Sequence, residues 1–173
     1  MSDGNGSGGG EPQVLSLAQI QHLMRVEFSR AQRYGYPIAC LVVAVDRLGE
    51  LRDRLGYEAK EALLEAVVEL LHVQTRGSDF LGRLPDDRFL VVVPHTPPEG
   101  IRLLADRLVE SARACNVPAL GDEAVRLSIG GSWMTSGETL FFDDLRATAE
   151  RELERALLEG GDRAALSLPE GSQ

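Results

Sequence analysis

Hydrophobic positions along the chain recur either at helical spacing or in short apolar runs, and the alternation marks out the elements. Across Leu15 to Arg33, the residues Leu17, Ile20, Leu23, Met24 and Phe28 fall on one helical face. Ser16 is a candidate N-cap, and Tyr34-Gly35-Tyr36-Pro37 ends the helix. Ile38 to Val45 is a continuous apolar run, the pattern of a strand buried on both faces. Arg47 to Leu55 predicts a short helix stopped at Gly56, and Glu58 to Gln74 a longer one with Leu63, Leu64, Val67, Leu70 and Leu71 turned inward. Phe80 to Leu84 and Phe89 to Val93 predict two strands; only Pro85-Asp86-Asp87-Arg88 separates them, so they form a hairpin.

Pro98 to Cys115 is again amphipathic, with Ile101, Leu104, Ala105 and Leu108 inward. Ala124 to Met134 predicts a strand, Phe142 to Glu159 a helix ending at Gly160-Gly161, and Arg163 to Ser167 a last strand. Asp143 and Asp144 open that final helix, where acids favour the dipole. The mixture of one adjacent hairpin with separated strands implies an α/β (α+β) sandwich: a central mixed five-stranded sheet flanked by helices. Met1 to Val14, rich in Gly and Ser, predicts a disordered tail; residues 15–168 form the domain, and Pro169 to Gln173 a second, frayed tail.

Composition narrows the function classes. The 173 residues carry 18 basic and 27 acidic side chains, a net charge of −9, which speaks against broad nucleic-acid binding. A small anion held by a local arginine cluster remains open, since every basic residue except Lys60 is arginine. No apolar run approaches the roughly 20 residues that span a bilayer, and no basic-then-apolar leader opens the chain. The expectation is a cytoplasmic protein that engages no membrane, with Cys40 and Cys115 as buried thiols. His22, His72 and His95 are scattered, which argues against a histidine or cysteine metal site.

Several strings carry a resemblance. Phe28-Ser-Arg-Ala-Gln-Arg-Tyr-Gly-Tyr-Pro-Ile-Ala39 leads into the first strand; Val42-Val-Ala-Val-Asp46 precedes Leu48, Leu51-Arg-Asp53 and Gly56; Arg83-Leu-Pro-Asp-Asp-Arg-Phe89 holds the hairpin; Leu127-Ser-Ile-Gly130 opens the fourth strand. Their order and spacing resemble the GGDEF domain of diguanylate cyclases over roughly Leu15 to Leu168. The resemblance implies a nucleotide-cyclase-like fold. It also implies a reaction joining two GTP molecules into cyclic di-GMP, with divalent metals held by carboxylates and backbone lying close to phosphate.

Position by position, the residues such chemistry needs are replaced. The family's first metal-binding aspartate falls on Ala44, while the next strand-end aspartate is kept as Asp46. The hairpin's glycine pair becomes Pro85-Asp86; proline has no N–H, and Asp86 sets a carboxylate where phosphate would approach. The motif's first acid is kept as Asp87, and its second is Arg88. The guanine-reading asparagine falls on Arg52 and a lysine on Gly49; the Gly-His turn reads Gly56-Tyr57, and the following Gly-Asp reads Lys60-Glu61. The late lysine and arginine fall on Leu157 and Gly161. Read this way, the chain is a degenerate cyclase without catalytic residues, bound metal or cofactor, and Asp86-Asp87-Arg88 reads as a solvated turn.

One feature stands at the family's spacing for an inhibitory RxxD site: Arg76-Gly77-Ser78-Asp79. An arginine fork suits guanine O6 and N7 or a phosphate, and a carboxylate accepts from guanine N1 and N2. Arg83 on the following strand is a candidate for added positive charge. The pattern is cheap, because Arg83-Leu-Pro-Asp86 also matches it, and an exposed salt bridge is the plain structural alternative. The leading expectation is a cyclic di-GMP receptor that relays to a separate protein partner, with a homodimer as a further option. The alternative is a nucleotide-free pseudo-enzyme serving as a protein-interaction module. Trp133, Tyr34 and Tyr36 read as core or rim, and the charged final helix as a solvated face.

Overall fold

The computed structural model describes residues 14–135 and 141–171. Its elements run α1 (Leu17–Tyr34), β1 (Ile38–Val45), α2 (Leu48–Leu55), α3 (Tyr57–Gln74), β2 (Phe80–Arg83), β3 (Phe89–Pro94), α4 (Pro98–Arg113), a 3-10 turn (Pro118–Leu120), β4 (Leu127–Met134), α5 (Phe142–Leu158) and β5 (Ala164–Ser167). The five strands form one sheet in the order β2-β3-β1-β4-β5. Every pairing is antiparallel except β4 with β5. β1 is central, which is why its apolar residues run without interruption.

Side chains alternate across that sheet into two cores. Ala39, Leu41, Val43 and Val45 face α3 and α4, whereas Ile38, Cys40 and Val42 face α1 and α5. Gly130 sets the spacing on the second side. A Cβ there would lie 2.1 Å from the Ala149 carbonyl oxygen and 2.2 Å from the Leu153 nitrogen, so β4 meets α5 backbone to backbone.

Several boundaries differ from the sequence pattern. Ser16 caps α1 in a reciprocal box with Gln19, so the helix starts at Leu17 and Leu15 lies outside it. Leu15 instead pairs in parallel with Gly82, and Val14 packs on the core rather than joining a tail. Residues 1–13 and 172–173, the rest of the expected tails, lie outside the described residues. β4 begins at Leu127 because its pairing with β1 ends at Val45 opposite Leu127. Cys40 is buried, but Cys115 is only half-buried; both are free. No described helix is long and apolar enough to cross a membrane.

Candidate functional site

Two places in this fold received candidate residues: the turn between α3 and β2, and the β2–β3 hairpin beside the C-terminal end of β1. They differ in what their polar groups have left to offer.

At the first, α3 ends where the Thr75 N–H and hydroxyl both donate to the Leu71 carbonyl, the hydroxyl at 2.8 Å. The chain then turns through Arg76-Gly77-Ser78-Asp79. The Arg76 N–H donates to Asp79 Oδ2 at 2.8 Å, and the Asp79 N–H returns to the Arg76 carbonyl at 2.9 Å. The Arg76 Nε stands 4.0 Å from Oδ2. Asp79 is thus the residue that closes the turn. Its side chain is only 3% exposed, against 59% for Arg76, and its other oxygen, Oδ1, is buried with no hydrogen-bond partner among the described residues. Burial raises the Asp79 pKa above the usual carboxylate value, partly offset by the Arg76 N–H and guanidinium.

The Arg76 guanidinium also donates to the Thr96 hydroxyl. Thr96 is itself buried: its hydroxyl donates to the Pro94 carbonyl at 3.2 Å, and its own carbonyl accepts from the Trp133 indole at 2.8 Å. Two clefts of about 400 and 260 Å³ meet at Arg76 and Asp79, which line both. The larger includes Leu23, His72 and Phe80; the smaller includes Thr96, Leu103 and Arg107. Arg107, on α4, donates to the Gln74 carbonyl at 3.4 Å and adds a second guanidinium. Nothing in the sequence links Arg107 to Arg76. The packing of α4 against the end of α3 brings them to one cleft.

Arg83 does not join this site. It sits at the far end of β2, where its guanidinium reaches Asp87 at 3.1 Å, and it lines neither cleft.

The hairpin turn is exposed at Pro85 and Asp86, as expected, but its charged groups are also tied by ion pairs. Asp87 adopts the left-handed region at φ 62°, and its carboxylate binds Lys60 at 2.8 Å as well as Arg83. The Lys60 ammonium, foremost, and Arg83 hold the Asp87 pKa below the usual carboxylate value. Arg88 pairs with Asp86 and reaches Glu150 of α5 at 3.5 Å, and Glu150 also takes Arg146 at 3.3 Å. Ala44 presents a methyl group, partly buried against the core between the sheet, α1 and α5. Asp46 is fully engaged: Oδ1 accepts from the Ser128 hydroxyl at 2.6 Å, and Oδ2 from the Asp162 N–H at 2.8 Å. Asp162 is itself held by Arg126 at 2.7 Å and Arg113 at 3.0 Å.

These residues do not fit a divalent ion beside a triphosphate. Ala44 and Arg88 offer no carboxylate here, and Asp86, Asp87 and Asp46 are already paired. Among the described residues, no group of three His, Cys, Asp or Glu side chains is placed to hold a metal.

Residues 13–163 match the family described as diguanylate cyclase, GGDEF domain. The chain belongs to the GGDEF family. Among curated relatives, it is 25% identical over 154 residues to the diguanylate cyclase DosC of Escherichia coli K12, covering 88% of this chain and 33% of DosC. It therefore spans about a third of that relative's length. Among solved structures, the active GGEEF domain of a diguanylate cyclase from Vibrio cholerae matches with a TM-score of 0.82 at 20% identity, over 89% of this chain and 97% of that one. The GGDEF domain of DgcB from Caulobacter crescentus, in complex with c-di-GMP, matches with a TM-score of 0.82 at 14% identity, over 88% and 91%. At these identities the likeness shows the fold.

Proposed function

We propose that this GGDEF domain is catalytically inactive and binds cyclic di-GMP through Arg76 and Asp79, relaying occupancy to a partner protein. The observation that carries the receptor reading is the unpartnered Oδ1 of Asp79, buried where two clefts meet beside the guanidinium of Arg76. An unsatisfied buried acceptor costs about 1–3 kcal/mol, and a ligand with N–H donors removes that cost on binding. Guanine offers such donors at N1 and N2, with O6 and N7 for an arginine fork. Arg107 adds positive charge for a phosphate. Loss of catalysis is read from the hairpin, where ion pairs within the chain occupy the acids and Ala44 and Arg88 offer no metal ligand.

The test is calorimetric titration with cyclic di-GMP beside Arg76→Ala and Asp79→Ala, together with product analysis after incubation with GTP and magnesium. The receptor reading requires saturable micromolar binding that both variants lose. Cyclic di-GMP formed from GTP would refute the inactive reading.

A second reading rests on a different observation. Asp79 is nearly buried and closes its own turn through the Arg76 N–H, which is what a purely structural aspartate does. On that reading the domain binds no nucleotide and works as a protein-interaction module. Absence of binding by the wild-type protein, with Asp79→Ala losing stability alone, would select it.

A further inference from the structure

The outward faces of α1 and α3 carry opposite charge, which the described residues leave largely unneutralised; on α1, Arg30 reaches Glu27 at 3.9 Å. α1 holds three arginines in a chain of net charge −9, and its one acid, Glu27, is buried and accepts from the Tyr36 hydroxyl at 2.7 Å. His22, Arg25, Ser29 and Arg33 are all exposed at steps of three, four and four along one side of that helix. With Arg30, they line a shallow groove of about 580 Å³. The outward side of α3 bears Glu58, Glu61, Glu65 and Glu69 at the same steps. Among the described residues, neither Arg25 nor any of these four glutamates has an ion-pair or hydrogen-bond partner. At about 1.5 Å per residue, each stripe runs some 16 Å, so the two are commensurate. Each also carries exposed apolar surface: Val26 and Tyr34 on α1, Tyr57 and Val73 on α3.

We infer that the α1 face of one copy docks on the α3 face of a second copy of this chain. Two stripes of opposite charge, matched in length and step, complement one another across that contact. Because α1 and α3 cover opposite sides of the sheet, the contact is head-to-tail, and each copy keeps one free face for another neighbour. Association built on exposed pairs is weak, reversible and screened by salt. It is independent of nucleotide and of the Arg76 turn.

The experiment is sedimentation of the full chain across protein concentration, at low and at 0.5 M salt on the order of the range that screens exposed pairs. The expected result is average mass rising past a dimer at low salt and collapsing to monomer at high salt. Arg25→Glu/Arg33→Glu and Glu65→Arg/Glu69→Arg should each weaken association by about tenfold or more. Mixing the two variants should restore it, since each then offers the face the other lacks. The glutamate variant is the sharper probe. It brings net charge nearer to zero, so bulk repulsion alone predicts tighter association, whereas the docked stripes predict weaker. Circular dichroism melts confirm that both variants fold. A wild-type chain that stays monomeric at low salt, a closed dimer that grows no further, association indifferent to the substitutions, or a mixture that fails to restore it would each overturn the inference.

Discussion

Replacing Asp87 with asparagine should loosen the hairpin by an amount the structure allows to be worked out. The Lys60–Asp87 contact at 2.8 Å joins side chains that are 14% and 26% exposed, and the Arg83–Asp87 contact at 3.1 Å is more open. Partly screened pairs of this kind contribute about 1 and 0.5 kcal/mol respectively. Removing the carboxylate also leaves the mostly buried Lys60 ammonium without its anion, about 0.5–1 kcal/mol more after screening. The left-handed backbone at φ 62° tolerates asparagine, so no conformational penalty is added. The sum is about 2 kcal/mol, or a Tm lowered by about 4–8 °C for a chain of this size. Asp87→Ala should cost about 1 kcal/mol beyond that, because alanine resists the left-handed region.

The assay is urea unfolding at pH 7 and at successively lower pH. The folded pKa of Asp87 is depressed, so its stabilisation is fully present above the ordinary value of 3.8 and is lost as pH falls through the lowered folded value. The gap between wild type and Asp87→Asn should therefore close in that acidic window. Lys60→Met should cost a similar amount, and the double variant should be far from additive. An Asp87→Asn protein within about 0.3 kcal/mol of wild type at pH 7, or a gap that persists in acid, would show that the pairs do not hold the hairpin.

Gly130→Ala forces a methyl group into the backbone of α5, and should cost about 3 kcal/mol or more, read by urea unfolding and loss of near-ultraviolet circular dichroism. Asp79 has a raised folded pKa, so its charge burdens the fold above that value, and the burden disappears below 3.8. Under the receptor reading, the ligand needs that charge. Titrations at falling pH should then show cyclic di-GMP affinity dropping, with one proton released on binding, before Asp87 titrates; affinity that stays flat through this range would count against Asp79 as the guanine acceptor.

The elements themselves were legible in the residues. β1 matches its apolar run because eight consecutive hydrophobic residues between Pro37 and Asp46 admit little else. The helical bodies follow from their period, and the hairpin from the short charged interval between two strands. Boundaries failed where a partner decides them. Leu15 left the helix once Ser16 capped it and Gly82 offered a bridge, and β4 shortened to the span that faces β1. The 3-10 turn at Pro118–Leu120 gave no periodic signal.

For the site, the sequence by itself determined the types of group available: an arginine and an aspartate three residues apart, an alanine near the end of the first strand, and a proline and an arginine in the hairpin. Only the tertiary structure decided what each group has left to give. It pairs Lys60 with Asp87 across 27 positions and turns Arg83 toward the hairpin. Likewise, α4 brings Arg107 to the Arg76 cleft, while one oxygen of Asp79 is left buried and unpaired. The physical reason is that hydrogen bonds and ion pairs are settled between side chains distant along the chain. Periodicity reports which face of an element is apolar, but not which polar groups that packing will bring within 3 Å of one another.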